Sequence, residues 1–122
     1  MQPFTKRVIE IIKRIPAGAV MSYGQIAELA GSRRGARQVV RILHTQSSIH
    51  QLPWHRVVNA QGEIAIPSEE GNMEQRSRLE EEGIEVSVQG KLDLAKYRFN
   101  PAPADIMGAW DNLDPDDVDQ MF

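Results

Sequence analysis

The chain has 122 residues, 41% of them hydrophobic, and no cysteine; that is enough for one domain with a proper core, too short to expect two, and it excludes disulfides, thiolate catalysis and the usual zinc sites. No apolar run approaches the roughly 20 residues that span a bilayer and no signal-peptide stretch opens the chain, so a soluble cytoplasmic protein is expected, nucleoid-associated if the source is a prokaryote. The formal net charge of −3 hides two opposed parts: residues 100–122 carry six aspartates and no Lys or Arg, which leaves all 14 basic residues with 11 of the 17 acidic ones in residues 1–99, a net +3.

Phe4, Val8, Ile11, Ile12 and Ile15 recur at helical spacing, with Lys6, Arg7, Lys13 and Arg14 on the other faces. This predicts an amphipathic helix over 3–15 that stops at Pro16. After a turn through residues 15–20, Ser22-Tyr23-Gly24-Gln25 has the form of a capping box, and a short helix over 23–30 should end at Gly31. Ser32-Arg33-Arg34-Gly35 makes the next turn. A second helix over 35–44 is predicted to bury Ala36, Val39, Val40 and Leu43, leaving Arg37, Arg41 and His44 on an outer face.

Two short helices joined by a glycine-containing turn outline a helix-turn-helix. Leu29–Gly62 holds Arg33, Arg34, Arg37, Arg41 and Arg56 without one carboxylate. Such a run fits either a recognition helix or an ordinary solvated surface.

Further along, Val57-Val58 and Ile64-Ala65-Ile66 flank Asn59-Ala60-Gln61-Gly62, which reads as a small hairpin or wing. Asn72 can cap a helix over 73–82, with Gln75 at its third position and Gly83 as terminator. Ile84, Val86 and Val88 alternate as a strand, and Gly90 turns the chain towards Leu92, Leu94, Tyr97 and Phe99. Residues 1–99 therefore form one mostly helical domain with a small β wing, a winged helix-turn-helix. Residues 100–122 form an acidic C-terminal tail in which Asp114-Pro115-Asp116-Asp117 could open a short helix and Ile106, Trp110 and Leu113 share an apolar face. It is either a solubilising tail or a segment that docks on a partner or masks the basic face.

Pro53-Trp54-His55-Arg56-Val57-Val58 resembles the active-site signature of the O6-alkylguanine-DNA alkyltransferases, which reads Pro-Cys-His-Arg-Val. Trp54 stands at the cysteine position, and an indole offers a hydrogen-bond donor but no nucleophilic lone pair. The resemblance extends through Ile15-Pro16-Ala17-Gly18-Ala19-Val20-Met21-Ser22-Tyr23-Gly24-Gln25-Ile26-Ala27, through Ala36-Arg37-Gln38-Val39 and through Leu79-Glu80-Glu81-Glu82-Gly83, from about Phe4 to Phe99. It begins directly in the DNA-binding domain, without the preceding domain of many transferases. The pattern is similar to the alkyltransferase-like subgroup, non-catalytic relatives that bind damaged guanine without repairing it.

What the resemblance implies is a DNA-damage sensor that engages duplex DNA containing O6-alkylguanine through the minor groove, flips the base into a pocket and flags it for nucleotide excision repair. Its expected partners are that duplex and excision-repair proteins, with no membrane, no cofactor and no metal, as a monomer. By position Arg37 is the intercalating arginine and Tyr23 the residue that promotes rotation of the nucleotide, with Gln38, Arg41, Arg33 and Arg34 sharing the DNA surface. Pro53, Trp54, His55, Arg56, Val57 and Ser68 would line the lesion pocket. His55 and Glu82 occupy the positions that activate the transferase cysteine; with no nucleophile present, a structural hydrogen-bonded pair near Arg56 is the simpler role. Two departures stand out: Gln46 replaces the asparagine usual eight residues before the cysteine, and the loop after the wing reads Pro67-Ser68-Glu69-Glu70-Gly71. His44, His50 and His55 show no metal spacing. Two other functions remain open, a helix-turn-helix transcription regulator and a hydrolase using His55 and Glu82 on water.

Overall fold

A computed structural model describes residues 3–101. The tail features around Ile106, Trp110, Leu113 and Asp114 lie outside the described residues, as does nearly all of the tail segment.

The apolar repeat near the N-terminus folds as helix α1, Pro3–Lys13, burying Val8, Ile9, Ile11 and Ile12. After the turn through Pro16, the two-residue strand β1, Met21–Ser22, leads directly into α2, Tyr23–Leu29. Ser22 caps α2 by accepting a hydrogen bond from the Gln25 amide at 3.1 Å. Only half of the expected capping box forms. The Gln25 side chain reaches away to the Phe99 carbonyl (2.7 Å) and the Asn100 side chain (3.2 Å), tying α2 to the C-terminal end of the described chain.

Helix α3, Ala36–His50, runs six residues beyond its predicted end and closes on Gln51 in the left-handed conformation at φ 53°. Thr45-Gln46-Ser47-Ser48 is a weak helix-forming sequence. Thr45 and Ser47 nevertheless stay in register, their hydroxyls bonding back to the Arg41 and Leu43 carbonyls one turn earlier. The buried stripe is also rotated from the predicted one. Val39 and Ile42 are inside, whereas Val40 is 47% exposed. Ile42 lies outside the predicted stripe, and the extra turns shift the packed face towards it.

Past Pro53, a single 3-10 turn, Trp54–Arg56, feeds strand β2, Val57–Val58. This strand pairs in parallel with β1, Met21 opposite Val57 and Ser22 opposite Val58. The predicted hairpin is therefore absent as drawn. The turn at 59–62 does form, the Asn59 side chain accepting from the Gln61 and Glu63 amides at 3.0 and 2.8 Å. Its outgoing arm, however, pairs with the segment around Lys91 through the antiparallel bridge Glu63–Lys91 and the bonds Ile64 N–Gly90 O and Leu92 N–Gly62 O. Val57-Val58 have their partner in β1 and are not free for 64–66.

Helix α4, Glu69–Glu81, begins earlier than predicted because Ser68, not Asn72, is its cap, accepting from the Gly71 amide at 3.1 Å. Glu69 and Glu70 then fall in the first turn, where the helix dipole favours negative charge. Gly83, at φ +86°, ends the helix as expected. No strand forms over 84–88. The guanidinium of Arg76 takes the carbonyls of Ser87 (2.7 Å) and Val88 (3.2 Å), and Val88 is 92% exposed. A last short helix α5, Leu94–Tyr97, is capped by Asp93.

The alternation of the two strands divides the interior. Met21 and Val57 point into a cluster built by α1, α2 and α3, with Ile11, Ile12, Ile26 and Val39 at its centre. Val20 and Val58 point the other way, into a second cluster with Leu79, Ile84 and Leu92. The helix-turn-helix rests on the first, and the loop carrying Trp54 is held where the two meet.

Candidate nucleic-acid interface

The turn between α2 and α3 places Arg33 and Arg34 in solvent, and Arg37, Gln38 and Arg41 follow, all exposed, on the outer side of α3. Arg37 and Arg41 are four residues apart and so share a face. Arg33 makes a loose contact with Glu28 at 3.9 Å, whereas Arg34, Arg37 and Arg41 pair with no carboxylate among the described residues. The result is a row of solvated cations along a helix, suited in charge and shape to a phosphate backbone.

Beside this row opens a cleft of about 880 Å³ whose walls include Val40, Arg41, Leu43 and His44 of α3, Tyr23 at the start of α2, Leu52, Trp54 and Val57, the loop Ala65-Ile66-Pro67, and Gln75 and Arg78 of α4. Most of its lining is apolar, with a few polar groups at fixed points, as small-molecule and base-sized sites generally are. Tyr23, the first residue of the helix-turn-helix, lines the cleft. Burial pushes its phenol pKa up from the ordinary value, so it stays a neutral hydroxyl.

Trp54 is half-buried in the cleft wall. The Arg78 guanidinium lies 5.6 Å from its ring centroid, a cation–π arrangement, and the His55 ring meets it edge-on at 6.1 Å. Gln75 anchors this turn from behind: fully buried, it donates to the carbonyls of His55 (3.0 Å) and Val57 (2.9 Å). The strand bonds of β2 and the two bonds from Gln75 fix the backbone that follows Trp54. Gln75 and Arg78 were not anticipated as site residues. The signal was present in part, since Gln75 and Leu79 are four residues apart on the inner face of α4, and a glutamine at such a position has to bond something.

The members of the expected pocket divide. Trp54 and Val57 line the cleft; Pro53, His55, Arg56 and Ser68 do not. Ser68 is exposed at the α4 cap, and it is the neighbouring Ile66 and Pro67 that reach the wall. His55 and Arg56 face the opposite side, towards Glu82. There, His55 Nε2 donates to Glu82 Oε2 at 2.9 Å, Arg56 Nη2 to the same oxygen at 2.6 Å, Arg56 Nε to Oε1 at 3.0 Å, and the Gly18 amide to Oε1 at 3.3 Å. Arg56 Nη1 continues to the Ile15 carbonyl at 2.8 Å.

Burial by itself would raise the Glu82 pKa, but the hydrogen bonds from Arg56, His55 and Gly18 outweigh it and hold the carboxyl at about 2. The group is thus an ionised clamp joining α4, the 3-10 turn and the turn after α1. His55 Nδ1 is buried without a hydrogen-bond partner. Gln46, at the position of the missing asparagine, receives His50 at 3.1 Å along α3. Among the described residues no cluster of three or more His, Asp or Glu is placed to hold a metal ion, and no helix is long and apolar enough to cross a membrane.

The family model described as the DNA-binding domain of 6-O-methylguanine DNA methyltransferase matches residues 3–84. A DNA base-flipping protein of Escherichia coli (strain K12) is 45% identical over 97 residues, 80% of this chain and 74% of that protein. Alkyltransferase-like protein 1 of Schizosaccharomyces pombe is 37% identical over 107 residues, 83% of this chain and 98% of that protein. Among solved structures, S. pombe Atl1 in complex with damaged DNA containing O6-carboxymethylguanine superimposes with a TM-score of 0.71 at 37% identity, covering 80% of this chain and 95% of that one. The O6-methylguanine methyltransferase of Mycobacterium tuberculosis gives 0.57 at 30% identity over 78% of this chain and 55% of that one.

Proposed function

The chain belongs to the 6-O-methylguanine DNA methyltransferase family through its DNA-binding domain, and from that membership and the tryptophan-walled cleft we propose that it is a non-enzymatic sensor of DNA damage. It binds duplex DNA containing O6-alkylguanine through the minor groove, rotates the damaged nucleotide out of the stack into the cleft, and flags the site for nucleotide excision repair. It acts as a monomer, in the cytoplasm or on the nucleoid.

The observation that carries this reading is Trp54. An indole stands where alkyl transfer needs a thiolate, the chain has no cysteine, and the ring forms a wall of the cleft beside α3. Chemistry at that point is lost while a stacking surface is gained. Extrusion of a base costs a few kcal/mol, least for a damaged pair, and stacking on an aromatic wall returns about 1–3 kcal/mol without demanding one size of substituent. Ile66, Leu52 and Val40 leave apolar room for the alkyl group.

Arg37 takes the gap left in the duplex, Tyr23 crowds the phosphate of the flipped nucleotide, and Arg33, Arg34, Gln38 and Arg41 hold the flanking backbone. A planar guanidinium both stacks and pairs with phosphate, which suits it to the first task. His55 and Glu82, turned away from the cleft and clamped with Arg56, support its wall.

The test is a titration of duplexes with and without one O6-methylguanine, followed by product analysis. Tighter binding to the modified duplex with the alkyl group retained is expected; equal affinity for both would sink the reading, and release of alkyl group or base would turn it into an enzyme.

A further inference from the structure

The surface just assigned to DNA also has a candidate occupant within the same polypeptide. Residues 102–122 carry Asp105, Asp111, Asp114, Asp116, Asp117 and Asp119 and no basic residue. Against them stands the row Arg34, Arg37 and Arg41, exposed and without a carboxylate partner among the described residues, with Arg33 only loosely engaged by Glu28. The two sets of charge are opposite and concentrated.

The place where the described chain ends puts them within reach. Phe99 is bonded to Val20, and the Phe99 carbonyl and Asn100 side chain are both held by Gln25 in the first turn of α2. The acidic segment therefore departs from the helix-turn-helix itself, two residues from Tyr23, and not from the far side of the domain. Its 21 residues can extend to roughly 70 Å, and α3, at 15 residues, is about 22 Å long. A tether of this kind holds its cargo at an effective concentration near ~1 mM.

We propose that the acidic C-terminal segment docks on the arginine row of the α2–α3 turn and α3 and competes there with duplex DNA. Single exposed ion pairs are weak and screened by salt, so the contact is shallow and yields to a duplex, which presents a phosphate about every 1.7 Å. Because segment and duplex share one face, docking lowers the affinity for undamaged and damaged DNA by the same factor. It scales occupancy along the genome without altering the preference for a lesion. The docking itself is independent of the function proposed above; its effect on DNA rests on that reading.

The experiment uses the full chain and a variant in which all six aspartates are replaced (Asp105→Asn, Asp111→Asn, Asp114→Asn, Asp116→Asn, Asp117→Asn, Asp119→Asn). Without DNA, backbone amide NMR shifts of residues 33–41 should differ between the two proteins at ~50 mM salt and converge near ~0.5 M. With DNA, the variant should bind undamaged and O6-methylguanine duplexes roughly three- to tenfold more tightly at low salt, the ratio between the duplexes unchanged. Identical amide shifts along 33–41, or differences confined to another face, overturn the proposal. A missing preference for the modified duplex in both proteins, alongside the expected amide shifts, would instead overturn the lesion-binding function and leave the docking standing.

Discussion

His55 Nε2 and Glu82 Oε2 are 2.9 Å apart across 27 positions of sequence, and the carboxylate that receives this bond also receives Arg56 and the Gly18 amide. This network lies behind the Trp54 turn, and the role proposed for the pair is that of a structural clamp. Glu82→Gln keeps the shape but removes the charge that satisfies three donor groups, His55, Arg56 and the Gly18 amide. Hydrogen bonds to a charged group contribute about 1.5–3 kcal/mol, so a loss of about 2 kcal/mol is expected in urea unfolding at pH 7.

The pH dependence has a definite sign. Glu82 is depressed from its ordinary 4.5 to about 2, so its contribution is complete above the unfolded value and disappears as pH falls through the folded one. The stability gap between wild type and Glu82→Gln should therefore stay constant from pH 7 to about 5, and close between pH 4.5 and about 2. A gap undiminished at pH 2 would show that the carboxylate charge is not what the clamp uses.

Gly62 is required by its surroundings. It adopts φ +77°, and an added Cβ would lie 2.6 Å from the Leu92 carbonyl oxygen, a backbone atom that cannot swing aside. Gly62→Ala should cost more than ~1 kcal/mol in denaturant midpoint while the folded protein keeps its DNA affinity, because the 62–64 and 90–92 pairing lies apart from the arginine row. Unchanged stability would mean that the 59–62 turn can relax.

Which features were visible in the sequence follows from how local their causes are. The α1 repeat, the Ser22 cap, the Gly83 stop and the helix-turn-helix outline depend on residues within a turn or two of one another, and these were readable. The partner of Val57-Val58 was not. Local turn chemistry at Asn59–Gly62 pointed to the following residues, whereas the actual partner, Met21-Ser22, lies far back in the chain. The supposed strand at Ile84–Val88 failed for a similar reason, since a side chain from α4, Arg76, claims its carbonyls. In the site, the motif located Trp54 and Val57 at the cleft, but a 3-10 turn rotates successive side chains about 120° apart, so His55 and Arg56 were carried to the other side. Gln75 and Arg78 escaped notice because their role depends on where α4 packs.

Trp54 and Arg78 should separate by size of effect. Trp54→Ala removes the stacking wall, and binding of an O6-methylguanine duplex should fall by about 1–3 kcal/mol, about fivefold to more than a hundredfold. Arg78 is half-exposed, and its cation–π contact with the ring is worth about 0.5–1 kcal/mol at such a site, so Arg78→Ala should cost only a fewfold. Neither change should alter binding to undamaged duplex. Stability should also be little affected by Arg78→Ala, since its pair with Glu74 is solvent-exposed. Comparable losses on both duplexes would place Trp54 in backbone contact and not in the lesion cleft.

Arg37 and Arg34 provide the sharpest separation of roles, because both are exposed arginines on the same surface and differ only in what the function asks of them. If Arg34 serves as a phosphate contact, Arg34→Ala should weaken damaged and undamaged duplexes alike and reduce the slope of log affinity against log salt by about 1. On the proposed function Arg37 enters the stack and contributes where a base has left it. Arg37→Ala should therefore weaken the O6-methylguanine duplex by at least ~1.4 kcal/mol more than the undamaged one, about tenfold in equilibrium terms, because undamaged binding does not use the vacated gap. Stopped-flow measurements with a fluorescent base analogue opposite or beside the lesion would follow extrusion directly, and the variant should lose the unstacking signal at saturating protein. If the signal survives and both duplexes weaken equally, Arg37 is a phosphate contact like Arg34, and extrusion must be driven from Tyr23 alone.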